Sequence, residues 1–399
     1  MLQPESQKII NAIHDVIAET FPIPAKFRSK LPSDIAELSR LLTNKRGDRS
    51  LSYLARPNLL SAYLYYFLPW NLFRLCLLLP ALNIKLSAND IVTDFGCGPL
   101  TFVSALWIAR EDLRKVPLEI NCIDRSGQAM EAGRKFFTAL CKATDKNFHD
   151  QNIPWKINII KEDIDFRKTH KMSAKKRKPA SLVCAVNIFN EVYENIPHNN
   201  PEALGKAASN AAFLLHNEAK KDAPILIVEP GVPQSGKFIS LLRNELLKLN
   251  RLPSSPCTHA EACPFLGGPS KMTRGRNWID TKKRWCHFAF ETTSAPGELR
   301  RLSAAAKLPK ERIVFSYLLT GESTTNRQRG EKDAYARVIS DFFPLPENRY
   351  GRYCCSPDGL VLITGKKGPI EDLNPHSLEK YYANGQYDKK SGALISEVK

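Results

Sequence analysis

The sequence is short of acidic residues: 41 Asp and Glu stand against 58 Lys and Arg, a net charge of +17 at pH 7. A surplus of this size favours a polyanionic partner, and nucleic acid is the usual one. The excess is concentrated in residues 167–178 and 271–312. Within the second stretch Lys282, Lys283 and Arg284 form the densest run, and we predict that they contact nucleic-acid phosphates rather than form a solubilising loop.

Targeting and membrane-spanning patterns are also missing. The first residues show neither the charged-then-apolar pattern of a signal peptide nor an Arg-rich mitochondrial leader. One apolar stretch, residues 62–82, is interrupted by two prolines and by Asn71 and Arg74, whereas a span needs about 20 mostly apolar residues. We therefore expect a cytoplasmic protein with no membrane partner, in which this stretch forms buried helices broken at Pro69.

Ten cysteines are present without a secretory pattern, and in a reducing compartment clustered cysteines indicate a metal site or catalysis. The candidate ligands are Cys257, Cys263, Cys286 and either Cys354 or Cys355. Thiolates are soft ligands that suit a structural zinc ion or an iron–sulfur cluster. The five residues between the first two cysteines make a pair that is wide for zinc, but neighbouring histidines could replace one thiolate, so both metals stay open.

Hydrophobic periodicity predicts an α/β fold behind a helical start. Residues 1–88 repeat apolar side chains at helical spacing, which predicts an N-terminal helical domain. Residues 89–250 alternate strands and helices, which predicts a Rossmann-like core with a parallel sheet covered on both faces.

The periodicity then fails in a cysteine-rich, basic insertion at residues 251–311, for which a bound metal would supply the order. Residues 312–367 are predicted to hold the final strands, near 312–319 and 360–364, as an antiparallel pair that closes the sheet and carries the fourth cysteine. Residues 368–399 are expected to be a loose tail.

The first strand of the core ends in a glycine-rich turn that contains Asp94, Gly96 and Gly98 and leads into a helix. Glycines let a ligand approach the backbone, and a helix N-terminus offers free N–H groups. Thr101 stands where a dinucleotide fingerprint has its third glycine, so NAD is the weaker interpretation. The D-x-G-x-G pattern resembles motif I of class I methyltransferases, whose loop wraps the methionine part of S-adenosylmethionine (SAM).

The next two strands also end in acids. Asp124 ends the second strand, where an acid binds ribose hydroxyls, and its alternative role is a helix cap. Asp163 follows the third strand and resembles the acid beside the adenine in that family. The glycine-rich turn and the two acids follow three successive strands in this order. This order predicts a SAM site formed by Asp94, Gly96, Gly98, Asp124 and Asp163.

The fourth strand leads into Asn190 and Glu191, the best candidates for contact with a methyl acceptor. The Pro-Pro pair typical of amino-group methylases is missing there. A cytosine-C5 methylase needs a nucleophilic thiol, but Cys184 lies inside the strand pattern and is expected to be a small buried hydrophobe. The sequence therefore supports SAM binding better than methyl transfer.

Several phrases together resemble the small-ribosomal-subunit methyltransferase-like family, which includes the methyltransferase-like assembly factor of the mitochondrial small subunit and bacterial relatives. They are Asp94-Phe-Gly-Cys-Gly-Pro, Val228-Glu-Pro-Gly, Pro256-Cys-Thr-His, Trp285-Cys-His-Phe and Cys355-Ser-Pro-Asp-Gly. The resemblance implies a class I SAM-methyltransferase-like sheet, binding to small-subunit rRNA, and a [4Fe-4S] cluster on Cys257, Cys263, Cys286 and Cys355. The alternative is a non-catalytic assembly factor that uses SAM and the cluster as structural ligands.

Overall fold

A computed structural model describes most of the chain. The described residues are 2–43, 54, 56–144, 153–166, 177–194, 196, 200–266, 285–321, 334–374, 376–382 and 385–398. Contacts between Cα atoms divide the chain into two compact units. Unit 1 contains residues 1–164, 184–186 and 291–313, and unit 2 contains residues 165–183, 187–290 and 314–399.

The helices of the described residues are α1 (Pro4–Asn11), α2 (Ile13–Thr20), α3 (Ala25–Arg28), α4 (Leu31–Thr43), α5 (Pro57–Ala62), α6 (Leu68–Leu78), α7 (Thr101–Ala109), α8 (Gly127–Thr144), α9 (Asn190–Glu194), α10 (Pro201–Glu218), α11 (Pro233–Lys248), α12 (Gly297–Ala305) and α13 (Lys367–Glu371). A π-helical segment, Tyr63–Phe67, joins α5 to α6, and short 3₁₀ turns follow α6 and α7.

The strands are β1 (Asp90–Phe95), β2 (Leu118–Asp124), β3 (Trp155–Lys161), β4 (Leu182–Val186), β5 (Ile225–Pro230), β6 (Pro253–Ser255), β7 (Phe288–Glu291), β8 (Arg312–Thr320), β9 (Tyr335–Val338), β10 (Phe343–Leu345), β11 (Arg349–Ser356), β12 (Gly359–Gly365), β13 (Leu378–Lys380) and β14 (Leu394–Glu397). They form two sheets. The larger has the order β3-β2-β1-β4-β5-β8-β6, with β7 on β8, and β4 contributes residues to both units.

The larger sheet is mixed, which confirms the expected α/β class. In unit 1, β1 pairs with β2, and β2 with β3, in parallel. In unit 2, β8 runs antiparallel to both β5 and β6. Parallel strands covered on both faces are continuously apolar, and all five residues of β4 and five of the six in β1 are buried.

The N-terminal helices pack directly on the helices of the core, in the same unit, rather than forming a domain of their own. In unit 1, α6 packs on α7 and α2 on α8. The reason is the apolar faces: Ile10, Ile13 and Ile17 are fully buried, and every residue of α7 is buried. Each set of apolar side chains covers the other.

The apolar helical stretch Pro57–Ala81 is continuous, so the expected break at Pro69 is wrong. Pro69 has no N–H to donate to the carbonyl of residue 65, and the π-helical segment lies just before it. The Tyr65 carbonyl instead lies 3.0 Å from His14 Nε2, which can supply the missing donor. By length and composition this helix could cross a membrane, and 72% of its apolar window is buried inside the protein.

The C-terminal strands differ from the expectation. Residues 360–364 lie in β12, which pairs with β11 and β14 and not with β8. The second sheet has the order β13-β9-β11-β12-β14, with β10 on β11. The expected loose tail after residue 367 instead supplies α13, β13 and β14. Ile370 of α13 packs in the apolar core of this sheet, and β14 and β13 extend the sheet beside β12 and β9.

Candidate functional site

The glycine-rich turn after β1 has the backbone that the sequence pattern predicts. Gly96 and Gly98 have φ values of +66° and +52°, a region that favours glycine. The Gly96 N–H donates to the carbonyl of Ile123 at 2.8 Å, which holds the turn against the end of β2. A Cβ atom added to Gly98 would meet no atom within 4 Å. The turn therefore has room for a ligand to approach its backbone.

Asp124 joins this turn to the next helix. Its Oδ2 accepts the Gly98 N–H at 2.9 Å, and its Oδ1 accepts the Ser126 N–H at 2.8 Å just before α8. The structure thus brings Asp124 and Gly98 together as predicted, and Asp124 also holds Ser126, whose Oγ accepts the Ala129 N–H in the first turn of α8. An ionised carboxylate has about four acceptor positions, so two ligand hydroxyls can still bind it.

Asp163 lies exposed two residues beyond β3, at the same sheet edge. The register pairs Asp124 with Lys161, the last residue of β3, in parallel. The third predicted acid therefore follows the strand beside Asp124.

Asp94 is buried beneath the turn, with only 1% of its surface exposed. Burial raises the pKa of its carboxyl well above the ordinary value, and the negative charge of Asp124 raises it further. Its Oδ2 has no hydrogen-bond partner, and its Oδ1 lies 3.6 Å from Cys184 Sγ. Burial also raises the pKa of the Cys184 thiol, so Cys184 is a buried thiol, as expected, and not an activated nucleophile.

Unit 2 carries the predicted acceptor residues at the start of α9. Asn187 adopts a left-handed backbone, with φ +57°, and such strain clusters at functional sites. Asn190 Oδ1 is buried and has no hydrogen-bond partner. The Phe189 N–H donates at 2.8 Å to Glu229, which is fully buried. Glu191 lies in α9, and its side chain is outside what the structure describes.

Four of the five candidate cysteines line one cavity in unit 2: Cys257, Cys263, Cys286 and Cys355. Burial raises the pKa of the Cys286 thiol well above its ordinary value, and the other three cysteines raise it further. Mutual effects of this kind mean that the four thiols lie near one another. Among the described residues, no group of three or more His, Cys, Asp or Glu side chains is arranged to hold one metal ion.

The choice between Cys354 and Cys355 follows from strand alternation. Successive residues of a strand point to opposite faces of its sheet, and both cysteines lie in β11. Cys354 is fully buried in the core of the second sheet, with Ala336 and Val338, whereas Cys355 lines the cavity. Cys355 is thus the one that joins the other three.

Polar side chains around the cavity contact the sulfur atoms. Ser240 and Arg243, three residues apart on α11, share a helix face. Arg243 Nε donates to Cys257 Sγ at 3.2 Å, and Ser240 Oγ lies 3.5 Å from Cys263 Sγ. His259 Nε2 lies 3.3 Å from Cys355 Sγ, and burial lowers the pKa of this histidine to about 3.

The family whose description reads "Mitochondrial small ribosomal subunit Rsm22" matches residues 90–345, more than half of the chain. The chain belongs to the Rsm22 family. The match begins at β1 and ends at β10, so it covers the glycine-rich turn and three of the four cavity cysteines. No curated protein matches this Rsm22-family chain.

Solved structures with distant likeness include three methyltransferase structures. A putative class I SAM-dependent methyltransferase from Listeria monocytogenes is 9% identical with a TM-score of 0.33, over 82% of this chain and 90% of the other. A complex of the Haloferax volcanii Trm112 methyltransferase activator with a putative methyltransferase is 9% identical, with a TM-score of 0.30, over 65% of this chain and 91% of the other. The plantazolicin methyltransferase BpumL in complex with SAH is 16% identical, with a TM-score of 0.26, over 81% of this chain and 98% of the other. These likenesses are distant.

This Rsm22-family chain has its predicted phosphate contacts in a part that the structure does not describe: Lys282, Lys283 and Arg284. The run is followed directly by Trp285, whose Nε1 donates to the Gly231 carbonyl at 3.0 Å. Trp285 also packs so closely on α11 that a Cβ atom at Gly236 would lie 2.7 Å from it. The residue after the run is therefore firmly anchored.

The sequence prediction missed polar side chains that the N-terminal helices bring to the glycine-rich turn. Burial raises the pKa of the Tyr63 hydroxyl, the nearby side chains of Thr101, at the start of α7, and Asn71 lower it, and the charge of Asp124 raises it. Arg74 Nη2 donates to Asn71 Oδ1 at 2.7 Å and is 6% exposed. The available signal was the presence of Asn71 and Arg74 in an otherwise apolar stretch.

Proposed function

We propose that this chain is a SAM-binding, methyltransferase-like protein that acts on the small ribosomal subunit. The observation that carries the proposal is the hydrogen bond between the Gly98 N–H and the Asp124 carboxylate at an open turn. This places a carboxylate beside free space at the edge of an α/β sheet, where nucleotide-type ligands bind. Membership of the Rsm22 family supports the ribosomal context.

The bound SAM would contact the edge through a small set of groups. Gly96 and Gly98 would let its methionine part approach the backbone, and the start of α7 would offer N–H groups. Asp124 would accept hydrogen bonds from the ribose hydroxyls, and Asp163 would lie beside the adenine. Asp94 would complete the set from beneath the turn, where its buried Oδ2 has no hydrogen-bond partner.

The four cavity cysteines would hold a [4Fe-4S] cluster. Four thiolates are the ligand set of such a cluster. The four cysteines line one cavity, and this shared position supports a centre held by four thiolates. A structural zinc ion is the alternative to the cluster. Such a cluster would cross-link three parts of unit 2: the loop after β6, which carries the first two cysteines, the segment just before β7, and β11.

Binding to small-subunit rRNA would use the basic run at residues 282–284. The net charge of +17 supports an anionic partner. Trp285 is anchored on α11, and ligation of Cys286 would fix the chain again one residue later. The charges of the run would then be presented from a fixed point, in the reducing cytoplasm that the cysteine content favours.

Methyl transfer would use Asn190 and Glu191, and the alternative is an assembly factor that binds SAM without transferring its methyl group. The unpartnered, buried Asn190 Oδ1 supports a ligand at this position. The missing Pro-Pro pair and the buried Cys184 thiol support the non-catalytic alternative, since neither common acceptor chemistry is present.

Three measurements on anaerobically purified protein test the proposal. We expect about four irons and matching acid-labile sulfide per chain, saturable SAM binding in calorimetry, and binding to small-subunit rRNA. One zinc ion per chain without acid-labile sulfide would overturn the proposed cluster. A calorimetric titration that shows no heat of SAM binding would overturn the proposed SAM site. Transfer of a labelled methyl group from SAM to small-subunit RNA would distinguish the enzyme from the non-catalytic factor.

A further inference from the structure

We infer that Arg243 is a positioning residue that sets the reduction potential of the four-cysteine site by donating a charged hydrogen bond to the Cys257 sulfur. The inference rests on the proposed cluster and concerns a residue outside its ligand set. Hydrogen bonds to the sulfur atoms and the net charge around a cluster are the protein's main means of changing its potential. A donor with a fixed positive charge stabilises the reduced, more negative state.

The geometry of Arg243 is fixed by the loop that carries the first two ligands. Its Nε donates to Cys257 Sγ at 3.2 Å. Its Nη2 donates to the carbonyls of His259 and Glu261, both at 2.8 Å. These carbonyls lie between Cys257 and Cys263, so one planar guanidinium bridges α11 to the ligand loop. With 3% of its surface exposed, Arg243 has little freedom to turn away.

The charge of Arg243 needs an anionic partner, because burying an unpaired ion is costly. Among the described residues no carboxylate is within ion-pair distance of Arg243, and its other hydrogen-bond acceptors are neutral amide oxygens: the two carbonyls and Asn244 Oδ1. The thiolates of the cavity are then the group that balances this charge. Four thiolates outweigh the positive charge of a cubane core, so an occupied site is an anion.

The other polar neighbours of the sulfur atoms differ from Arg243 either in charge or in contact. Ser240, beside Cys263, has a neutral hydroxyl, and His259, beside Cys355, is a buried imidazole. Arg337 donates to the Pro256 and His376 carbonyls, and not to a sulfur atom. Arg243 is therefore the permanent cation that, in the part of the chain that the structure describes, contacts a ligand sulfur directly.

The chain offers a matched control in Arg251, three residues beyond α11. Arg251 is 5% exposed and donates to the carbonyls of Ala223, His216 and Ala219. It thus resembles Arg243 in burial and in binding to backbone oxygens, but its described contacts include no cysteine. Arg251→Met reports the cost of losing a buried arginine without a change at the sulfur atoms.

The experiment is a dithionite titration of the iron-loaded full chain, followed by electron paramagnetic resonance, for wild type, R243M, R243K, R243Q and R251M. Dithionite supplies one electron to the cluster. We expect R243M and R243Q to make reduction about tenfold less favourable, about 59 mV for one electron. R243K should fall between them and wild type, because lysine keeps the charge but not the planar fork. R251M should keep the wild-type potential even where its thermal stability falls.

Each outcome decides the matter. A wild-type potential in loaded R243M, or an equal shift in R251M, would overturn the role of Arg243 and leave the cluster in place. Wild-type protein without iron and sulfide would overturn the cluster and this inference together. If R243M loses its cluster, the potential of R243K and R243Q decides, and loading of R243K but not R243Q or R243M supports the need for positive charge.

Discussion

Replacing Asp124 with alanine should weaken SAM binding by about 1.5–3 kcal/mol, the usual contribution of hydrogen bonds to a charged group. This corresponds to about a 10- to 150-fold increase in Kd. The carboxylate already accepts the Gly98 and Ser126 N–H groups at 2.9 and 2.8 Å. Its loss removes the acceptor for ribose hydroxyls and also releases the glycine-rich turn from the start of α8, so the upper end of the range is expected.

Calorimetry with Ser126→Ala as control distinguishes ligand binding from helix capping. Ser126 Oγ accepts the Ala129 N–H at 3.2 Å in the first turn of α8, and its loss should cost about 1 kcal/mol of stability. We expect Ser126→Ala to lower the melting temperature and to bind SAM as wild type does. Asp124→Ala with reduced stability but wild-type SAM affinity would show that Asp124 only holds the glycine-rich turn and Ser126 in place, and the SAM site would have to lie elsewhere.

Three further predictions test the remaining features. Cys257→Ser should lose iron and part of the fold together, because ligation free energy is also folding free energy. Cys354→Ser should keep its iron and lose about 1–3 kcal/mol of stability, because it buries a polar hydroxyl. Equal iron contents in the two variants would contradict the ligand assignment. Triple alanine substitution of residues 282–284 should weaken binding to small-subunit RNA and reduce the log–log salt slope by about 0.7–0.9 for each phosphate that is no longer neutralised, and an unchanged slope would move the RNA site elsewhere. Burial lowers the pKa of His376 to about 4, so the unfolded chain protonates first and stability should fall as pH drops from about 6.5 to about 4. His376→Asn should reduce that loss in pH-dependent thermal unfolding, and an unaltered pH profile would count against it.

The strands of the core were predictable because parallel strands buried on both faces are continuously apolar. Residues 91–95 and 182–186 show this pattern locally. The partner of a strand is not encoded locally, which is why residues 360–364 were recognised as a strand but assigned to the wrong sheet. β13 and β14 are three and four residues long, too short for an alternation to stand out.

The ligand-site residues were predictable only as far as spacing and residue type reach. Alternation places Cys354 and Cys355 on opposite faces, but the face that meets the cavity depends on the sheet that β11 joins. Arg243 lies 14 residues before Cys257, in an amphipathic helix, and carries no local signal of its hydrogen bond to that sulfur. The polar groups that Tyr63 and Asn71 bring to the glycine-rich turn likewise depend on helix packing.

The hydrogen bond from His14 to the Tyr65 carbonyl ties the first twenty residues to the apolar helix of unit 1. A chain beginning near Phe21 would leave the Tyr65 carbonyl without the His14 donor, at a cost of about 1–3 kcal/mol. A chain beginning after Phe21 would also lose the Phe21 carbonyl, which accepts the Tyr65 hydroxyl. It would also expose the parts of the apolar stretch Pro57–Ala81 that α1 and α2 cover, while α4 and α7 would still pack on it. Trimming the N-terminus to obtain a smaller protein would therefore leave apolar helix surface open to solvent and lower the stability of unit 1.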